Sequence, residues 1–533
     1  MKTVIKRGAA PVDEISGLVS THQVFADAED VWDATLNQTN IGKNANKFYV
    51  IQLLHPIGNP ASCTLYTRWG RVGENGQSQK KGPFPAQSAK SEFKKQFRNK
   101  SGVAWEQRKT ANPVSGKYSW IARDYDNEEE ESKEKPKSKK DKKEGEKEQK
   151  KLEVADSALD PGVQAFCKLI FSTSYIDATL SSLNYDANKL PLGKLAKSTI
   201  LRGFEALKAL SEVIDNPACA RAQELGGFQN ACRELSGRYY SIIPHAFGRR
   251  TPTTIDTKEL LKRELDLVDA LGDMEIASKL LADDANNKHL TPDGTKLLHP
   301  LDAQFAALDL ARMDPVAADS GEFTALAAYA RDTHGQTHSH YQVKIEHAFR
   351  VERHGEPDAF KSKGFHALPD GERMLLWHGS RSTNFAGILK QGLRIAPPEA
   401  PVSGYMFGKG VYFADMMSKS ANYCHSYLSG GIGVLLLCEV AAKPFHELVD
   451  ADYNADQGCK ANGKRCTKGI GRTQPGDWQD AGETLGYDEL RGCHMPKGPG
   501  KDIGGTAYLQ YNEYIVYDPA QIRLRYLLMV KMN

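Results

Sequence analysis

The chain has 533 residues, too many for one hydrophobic core, so two to four domains are expected. Lysine and arginine outnumber aspartate and glutamate by only 70 to 67, which excludes a global polycation and leaves any nucleic-acid binding to a local patch. The start, Met1-Lys2-Thr3-Val4-Ile5, has no leader-like apolar core and no run is long enough to span a membrane; nine cysteines in this length read as a reduced intracellular protein.

Residues 1–20 lack periodicity and are expected to form a flexible tail. Over 21–125 the pattern is short strands and turns: 46–54 and 63–69 have strand composition, Gly70, Gly73 and Gly76 punctuate the next stretch, and 88–100 predicts a helix burying Phe93 and Phe97. Trp69-Gly70-Arg71-Val72-Gly73 stands within it, flanked by Lys43, Lys47, Arg68, Lys80 and Lys81. An indole can stack on an unpaired base and a guanidinium can take a phosphate, although on chemistry alone a core tryptophan beside a solvated arginine fits as well. Residues 126–153 are almost purely charged and predict a disordered linker. From 154 to 288 the period becomes helical, at 192–214, 220–243 and 258–281, a bundle with no catalytic constellation. From 297 to 533 the texture is α+β: strands at 341–352, 373–377, 411–413, 433–440, 511–517 and 524–530, and a helix at 383–391 ending on Gly392.

The chemistry concentrates in this last region. An apolar strand delivers His378-Gly379-Ser380 to its end; glycine lets the backbone approach a ligand and pair with a carboxamide, to which Ser380 adds a hydroxyl. Tyr412 and Tyr423 can flank a planar ring, and Glu513 lies in the strand-like run 511–518. Lys419 reads either as a ligand for acceptor or ribose groups or as a snorkelling surface lysine. His334, His338 and His340 imitate a metal site, but their polar loop fits turn-bonded or solvated histidines; with no CxxC pair, no metal is expected. A dinucleotide-binding dehydrogenase is excluded because Gly408-Lys409-Gly410 and Gly431-Ile432-Gly433 lack the third glycine and helix of that fingerprint.

Leu376-Trp377-His378-Gly379-Ser380, 392–401, 404–415 and Tyr511-Asn512-Glu513-Tyr514 resemble the catalytic domain of poly(ADP-ribose) polymerases. The segment around Trp69 resembles the WGR domain of the DNA-dependent members, and 189–195 and 243–248 resemble the helical regulatory domain between them. The fold this implies is multidomain α+β: a small α+β WGR module, an all-α regulatory bundle, and a mixed α/β ADP-ribosyltransferase domain built on antiparallel sheets. The resemblance further implies NAD+ as substrate. His378, Tyr412 and Glu513 form the catalytic set; Gly379 and Ser380 hold nicotinamide, Tyr412 and Tyr423 flank its ring, and His378 bonds the adenosine ribose. Asn384 and Arg394 line the adenosine half, Asp269 and Asp273 face it, and Tyr405 borders the acceptor side. Phe413, Ala414, Lys419 and Ser420 complete the cofactor-binding list. Trp69 and Arg71, with Asn44 and Tyr118, are implied to grip a DNA end or nick.

The expected function is DNA-break-stimulated synthesis of poly(ADP-ribose) on the protein itself and on other acceptors, in the nucleus, with DNA ends or nicks and poly(ADP-ribose) as partners and no membrane. The alternative is a DNA-end scaffold with single-transfer or vestigial activity. Two departures bear on this: 528–533 lacks the aromatic tail that helps many relatives dock a serine-directing factor, and no zinc-finger or BRCT-like segment precedes the WGR-like module, leaving DNA sensing to that module and its basic flanks.

Overall fold

The computed structural model describes residues 9–123, 153–185, 195–286, 290–291, 295–402 and 404–533. The expected linker and most of the phrase at 189–195 lie outside them. The chain divides into two compact units, Met1–Ser157 with Leu180–Ala303, and Ala158–Thr179 with Gln304–Asn533.

In the first unit the strands pair in the order Gln77–Pro85, Ser62–Arg71, Ala45–Pro56, Asp33–Asn40, Ser119–Ile121, with His22–Val24 also on Ala45–Pro56. Helix Ala86–Ser101 covers this sheet because Phe93 and Phe97, one turn apart, both reach the core around Trp32 and Trp105. The described end of the expected flexible tail is a correction. Ala10 and Val12 are buried with Val24, Leu54 and Tyr66, and Asp13 bonds the buried Arg68 at 2.8 Å. A short apolar pair beside one well-placed carboxylate anchors a segment that shows no periodicity. The helices Lys197–Asp215, Phe228–Ile242 and Lys258–Asn286 carry the bundle. The expected helix at 220–243 is two helices, because Gly226 and Gly227 take φ of 83° and 94°. Helix Pro161–Ile170, in the region expected to be helical, packs within the second unit, where Phe166 lies 6.3 Å from Phe349, ring to ring.

The second unit is organised by two sheets among the described residues. The larger runs Leu509–Tyr511, Gly471–Asp480, Cys493–Asp502, Arg373–Ser380, Ile432–Ala441, Ile522–Met532, Val343–Arg353, Leu310–Pro315; the smaller runs Val411–Phe413, Glu513–Val516, Cys466–Gly469, Phe445–Leu448. Most pairings are antiparallel. The apolar central strands sink Leu375, Trp377, Leu435, Leu437, Tyr526 and Leu528 into one core. The single strand expected over 511–517 is divided: Tyr511 ends a strand of the large sheet and Glu513 begins one of the small sheet, with buried Asn512 between them.

Candidate active site and nucleic-acid face

Along Arg373–Ser380 the first five side chains are buried and the last three emerge, so the apolar run anchors the strand and presents His378, Gly379 and Ser380 at its end. Trp377 and Ala414 exchange backbone hydrogen bonds of 2.8 and 2.9 Å, which fixes Val411–Phe413 alongside. His378 Nδ1 then lies 2.9 Å from the Tyr412 carbonyl. A carbonyl only accepts, so Nδ1 carries the proton and Nε2 is the acceptor nitrogen. Burial lowers the pKa of this imidazole, partly opposed by that bond. Phe413 packs 5.7 Å from the His378 ring. A Cβ on Gly379 would stand 2.0 Å from the Ser420 carbonyl, so only glycine lets these backbones approach. Ser380 Oγ accepts from Asn384 Nδ2 at 3.0 Å, and Ser420 Oγ donates to Trp377 O at 3.0 Å.

Tyr412 is pinned by its hydroxyl, which donates to Gly408 O at 2.8 Å and accepts from Phe407 N at 3.0 Å. Burial raises its pKa, and Glu513, Tyr517 and Tyr423 are near enough to raise it further. The Tyr405 ring is 6.5 Å away, and Tyr423 is 54% exposed, an aromatic face turned to solvent. Glu513 pairs with Lys419 at 2.9 Å, both side chains mostly buried, and Lys419 also donates to Tyr511 O at 2.9 Å. Of the two readings of Lys419, the snorkelling surface lysine is overturned. Desolvation lowers its pKa, with Glu513 opposing. Arg394 is exposed and reaches Gln391 Oε1 at 3.3 Å; Asp273 lies on Lys258–Asn286 in the other unit.

A turn far away in sequence braces the acid pair. His338 Nδ1 is 2.8 Å from Ser418 Oγ and its Nε2 is 2.9 Å from Asn422 Nδ2, while Tyr511 OH bonds Thr337 Oγ1 at 2.6 Å. Burial lowers the His338 pKa, helped by His334, His340 and Lys419. Of these histidines, His334 bonds within its own turn, its Nε2 3.0 Å from the His338 carbonyl, whereas His338 is held by Ser418 and Asn422. Among the described residues one group could gather ligand atoms within 4.8 Å, Asp370, Asp480 and His494. Its Asp480 oxygens already accept from Glu483 N and Gly492 N, and His494 Nε2 bonds Asp370.

In the first unit, Trp69 is partly buried rather than free, its ring stacked on Tyr49 at 5.8 Å and 14°. Tyr118 meets the same Tyr49 edge-on at 5.9 Å. The Arg71 guanidinium grips backbone oxygens of a bundle loop, Gly248 O and Arg250 O (3.0 Å), together with Asn44 O at 2.9 Å and Asn44 Oδ1 at 3.0 Å. Asn44 holds this corner in the left-handed conformation, φ 44°. Lys43, Lys47, Lys80 and Lys81 are exposed.

Three family models match in order: a WGR domain at residues 32–112, a poly(ADP-ribose) polymerase regulatory domain at 157–305, and a poly(ADP-ribose) polymerase catalytic domain at 320–532. The chain is similar along its whole length to poly [ADP-ribose] polymerase 2 of Zea mays (42% identical, 76% of that protein covered), of Arabidopsis thaliana (43%, 78%) and of Homo sapiens (39%, 85%). The chain belongs to the poly(ADP-ribose) polymerase family. It is an NAD+ ADP-ribosyltransferase.

In this polymerase the structure brings His378, Gly379, Ser380, Asn384, Tyr412, Phe413, Ala414, Lys419, Ser420 and Glu513 into one constellation. Sequence reading missed Thr337, Ser418 and Asp415 as its supports. Their bonds run to partners 80 to 174 residues away, and no local pattern announces that.

Proposed function

We propose that this constellation binds NAD+ and that Glu513 directs transfer of its ADP-ribose. The observation that carries the reading is the buried Lys419–Glu513 pair beside the pinned Tyr412 ring. Backbone groups at Gly379 and the Ser380 hydroxyl hold the nicotinamide amide, Tyr412 and Tyr423 flank its ring, and His378 Nε2 accepts from the adenosine ribose. Phe413, Ala414 and Ser420 wall the cleft, Asn384 and Arg394 lie toward the adenosine half, and Tyr405 borders the acceptor. When the ribose C1′–N bond breaks, its electron pair leaves with nicotinamide and C1′ becomes oxocarbenium-like. The Glu513 carboxylate bonds the 2′-hydroxyl, stabilises that positive charge, and orients the acceptor hydroxyl, whose oxygen bonds C1′ as its proton passes to the carboxylate. Repetition on a ribose hydroxyl of the growing chain yields poly(ADP-ribose).

The first unit senses DNA ends or nicks through Trp69, Arg71, Asn44 and Tyr118, and the working location is the nucleus. A phosphate, carrying full charge, competes effectively for a guanidinium that otherwise holds neutral carbonyls. Labelled NAD+ with and without nicked DNA, resolved on a gel, tests the reading. Glu513→Gln is expected to abolish polymer while some nicotinamide release persists; polymer of normal length from that variant defeats the assignment.

A further inference from the structure

Glu513 stands at the very start of its element, in register with Gly469 across the smaller sheet. It is the first residue of a four-residue strand, immediately after the chain crosses from one sheet to another. A carboxylate 97 to 99 residues away fixes it there: Asp415 Oδ2 accepts from Asn512 Nδ2 at 2.7 Å and from Tyr514 OH at 2.9 Å. These are the two neighbours of Glu513. One oxygen atom therefore holds the residue before and the residue after the acid, and the backbone between them has little freedom left. Asn512 extends the restraint, its Oδ1 accepting from Gly471 N at 2.8 Å. Asp415 is itself fixed, because the preceding Ala414 is bonded both ways to Trp377, next to His378.

The environment argues that this is more than a packing detail. Asp415 is fully buried, and its second oxygen, Oδ1, has no hydrogen-bond partner among the described residues. A buried carboxylate with an unsatisfied oxygen is unfavourable, and apolar side chains of similar volume would stabilise the same junction better. Desolvation raises its pKa while the bonds from Asn512 and Tyr514, and the nearby Lys468 and Lys419, oppose that rise. The carboxylate also lies close enough to Lys419 to favour its charged form.

We propose that Asp415 is a positioning residue for the transfer reaction: by gripping Asn512 and Tyr514 it sets the Glu513 carboxylate against Lys419 and the reacting ribose. This rests on the role given to Glu513 above. Asp415→Asn keeps an acceptor oxygen where Oδ2 stands and rescues the geometry; Tyr514→Phe deletes one of the two bonds; Asp415→Ala deletes both.

The test uses the full chain with nicked DNA and follows nicotinamide release, with kcat and KM for NAD+ measured separately. Misplacement of a reacting group by about 1 Å predicts losses in kcat of about 100-fold for Asp415→Ala and about tenfold for Tyr514→Phe, with KM little changed. Asp415→Asn should remain within about threefold of the unsubstituted protein, and in a Glu513→Gln background neither Asp415→Ala nor Tyr514→Phe should cause further loss. Losses that add to that of Glu513→Gln, or a KM that rises in step with the fall in kcat, overturn the proposal. If Asp415→Ala does not fold, Tyr514→Phe decides on the same criteria. A Glu513→Gln protein that still makes polymer removes the underlying assignment instead, and is seen without any Asp415 variant.

Discussion

Each unit of this polymerase places one cation at its candidate site, Arg71 in the first and Lys419 in the second, and the two are held in opposite ways. Arg71 meets three backbone carbonyls and a side-chain amide, all neutral, on the partly exposed corner between Asn44 and the loop at 248–250. Lys419 meets a carboxylate and one carbonyl in a site from which water is largely removed. Neutral acceptors at an exposed corner yield to a charged ligand, whereas a desolvated ion pair does not part without leaving a charge stranded. The first arrangement suits a group that must exchange partners, and the second suits one that must stay put during chemistry.

The contrast can be broken most forcefully at Lys419. Lys419→Met strands the Glu513 carboxylate, and loss of a preorganised charge predicts a fall of about 100-fold in polymer synthesis with DNA stimulation ratios unchanged; a gel showing normal polymer would erase the distinction. Arg71→Ala should lower DNA-stimulated turnover about tenfold, the value of a charge-assisted contact, while turnover without DNA stays the same. Equal loss in both measurements would make Arg71 a structural strut.

A pH titration sharpens the comparison further. Burial holds the Lys419 pKa below the ordinary lysine range. The ammonium is therefore lost early as pH rises, and the alkaline limb of kcat should fall below about 10.4, moving upward in Lys419→Arg. Because the folded value is the depressed one, this group makes folding more favourable as pH climbs from that value to the unfolded one, and that contribution disappears again on acidification through the folded pKa. The smallest effect is expected from Asn44→Gly, which keeps the positive φ and removes the side-chain acceptor of Arg71 and a long bond to the Arg249 carbonyl. About 1 kcal/mol of thermal stability at most should be lost, with a smaller fall in DNA stimulation than Arg71→Ala causes.

Much of this is legible in the chain itself because it depends on neighbours in sequence. The strand Val411–Phe413 and the Phe93–Phe97 pair follow from local apolar spacing, and His378 emerges where an apolar run ends. Local pattern fails where a partner far along the chain decides. Periodicity cannot reveal that Asn512 leaves one sheet for another, since residues 511–517 are strand-like throughout and bonds to distant Asp415 and Gly471 fix the break. Nor can it assign helix Pro161–Ile170, whose apolar face suits a bundle and a sheet equally. The burial of Trp69 is hidden for the same reason, because the aromatic that covers it, Tyr49, sits on the neighbouring strand.

The crossing at Asn512 also sets the smallest portable piece of this enzyme. A graft of the short sheet alone would carry Glu513 and Tyr412 into a new host but leave behind Tyr511, whose carbonyl steadies Lys419, and the long-sheet strand that bears His378. Transplanting Glu513 with its partners means transplanting both sheets.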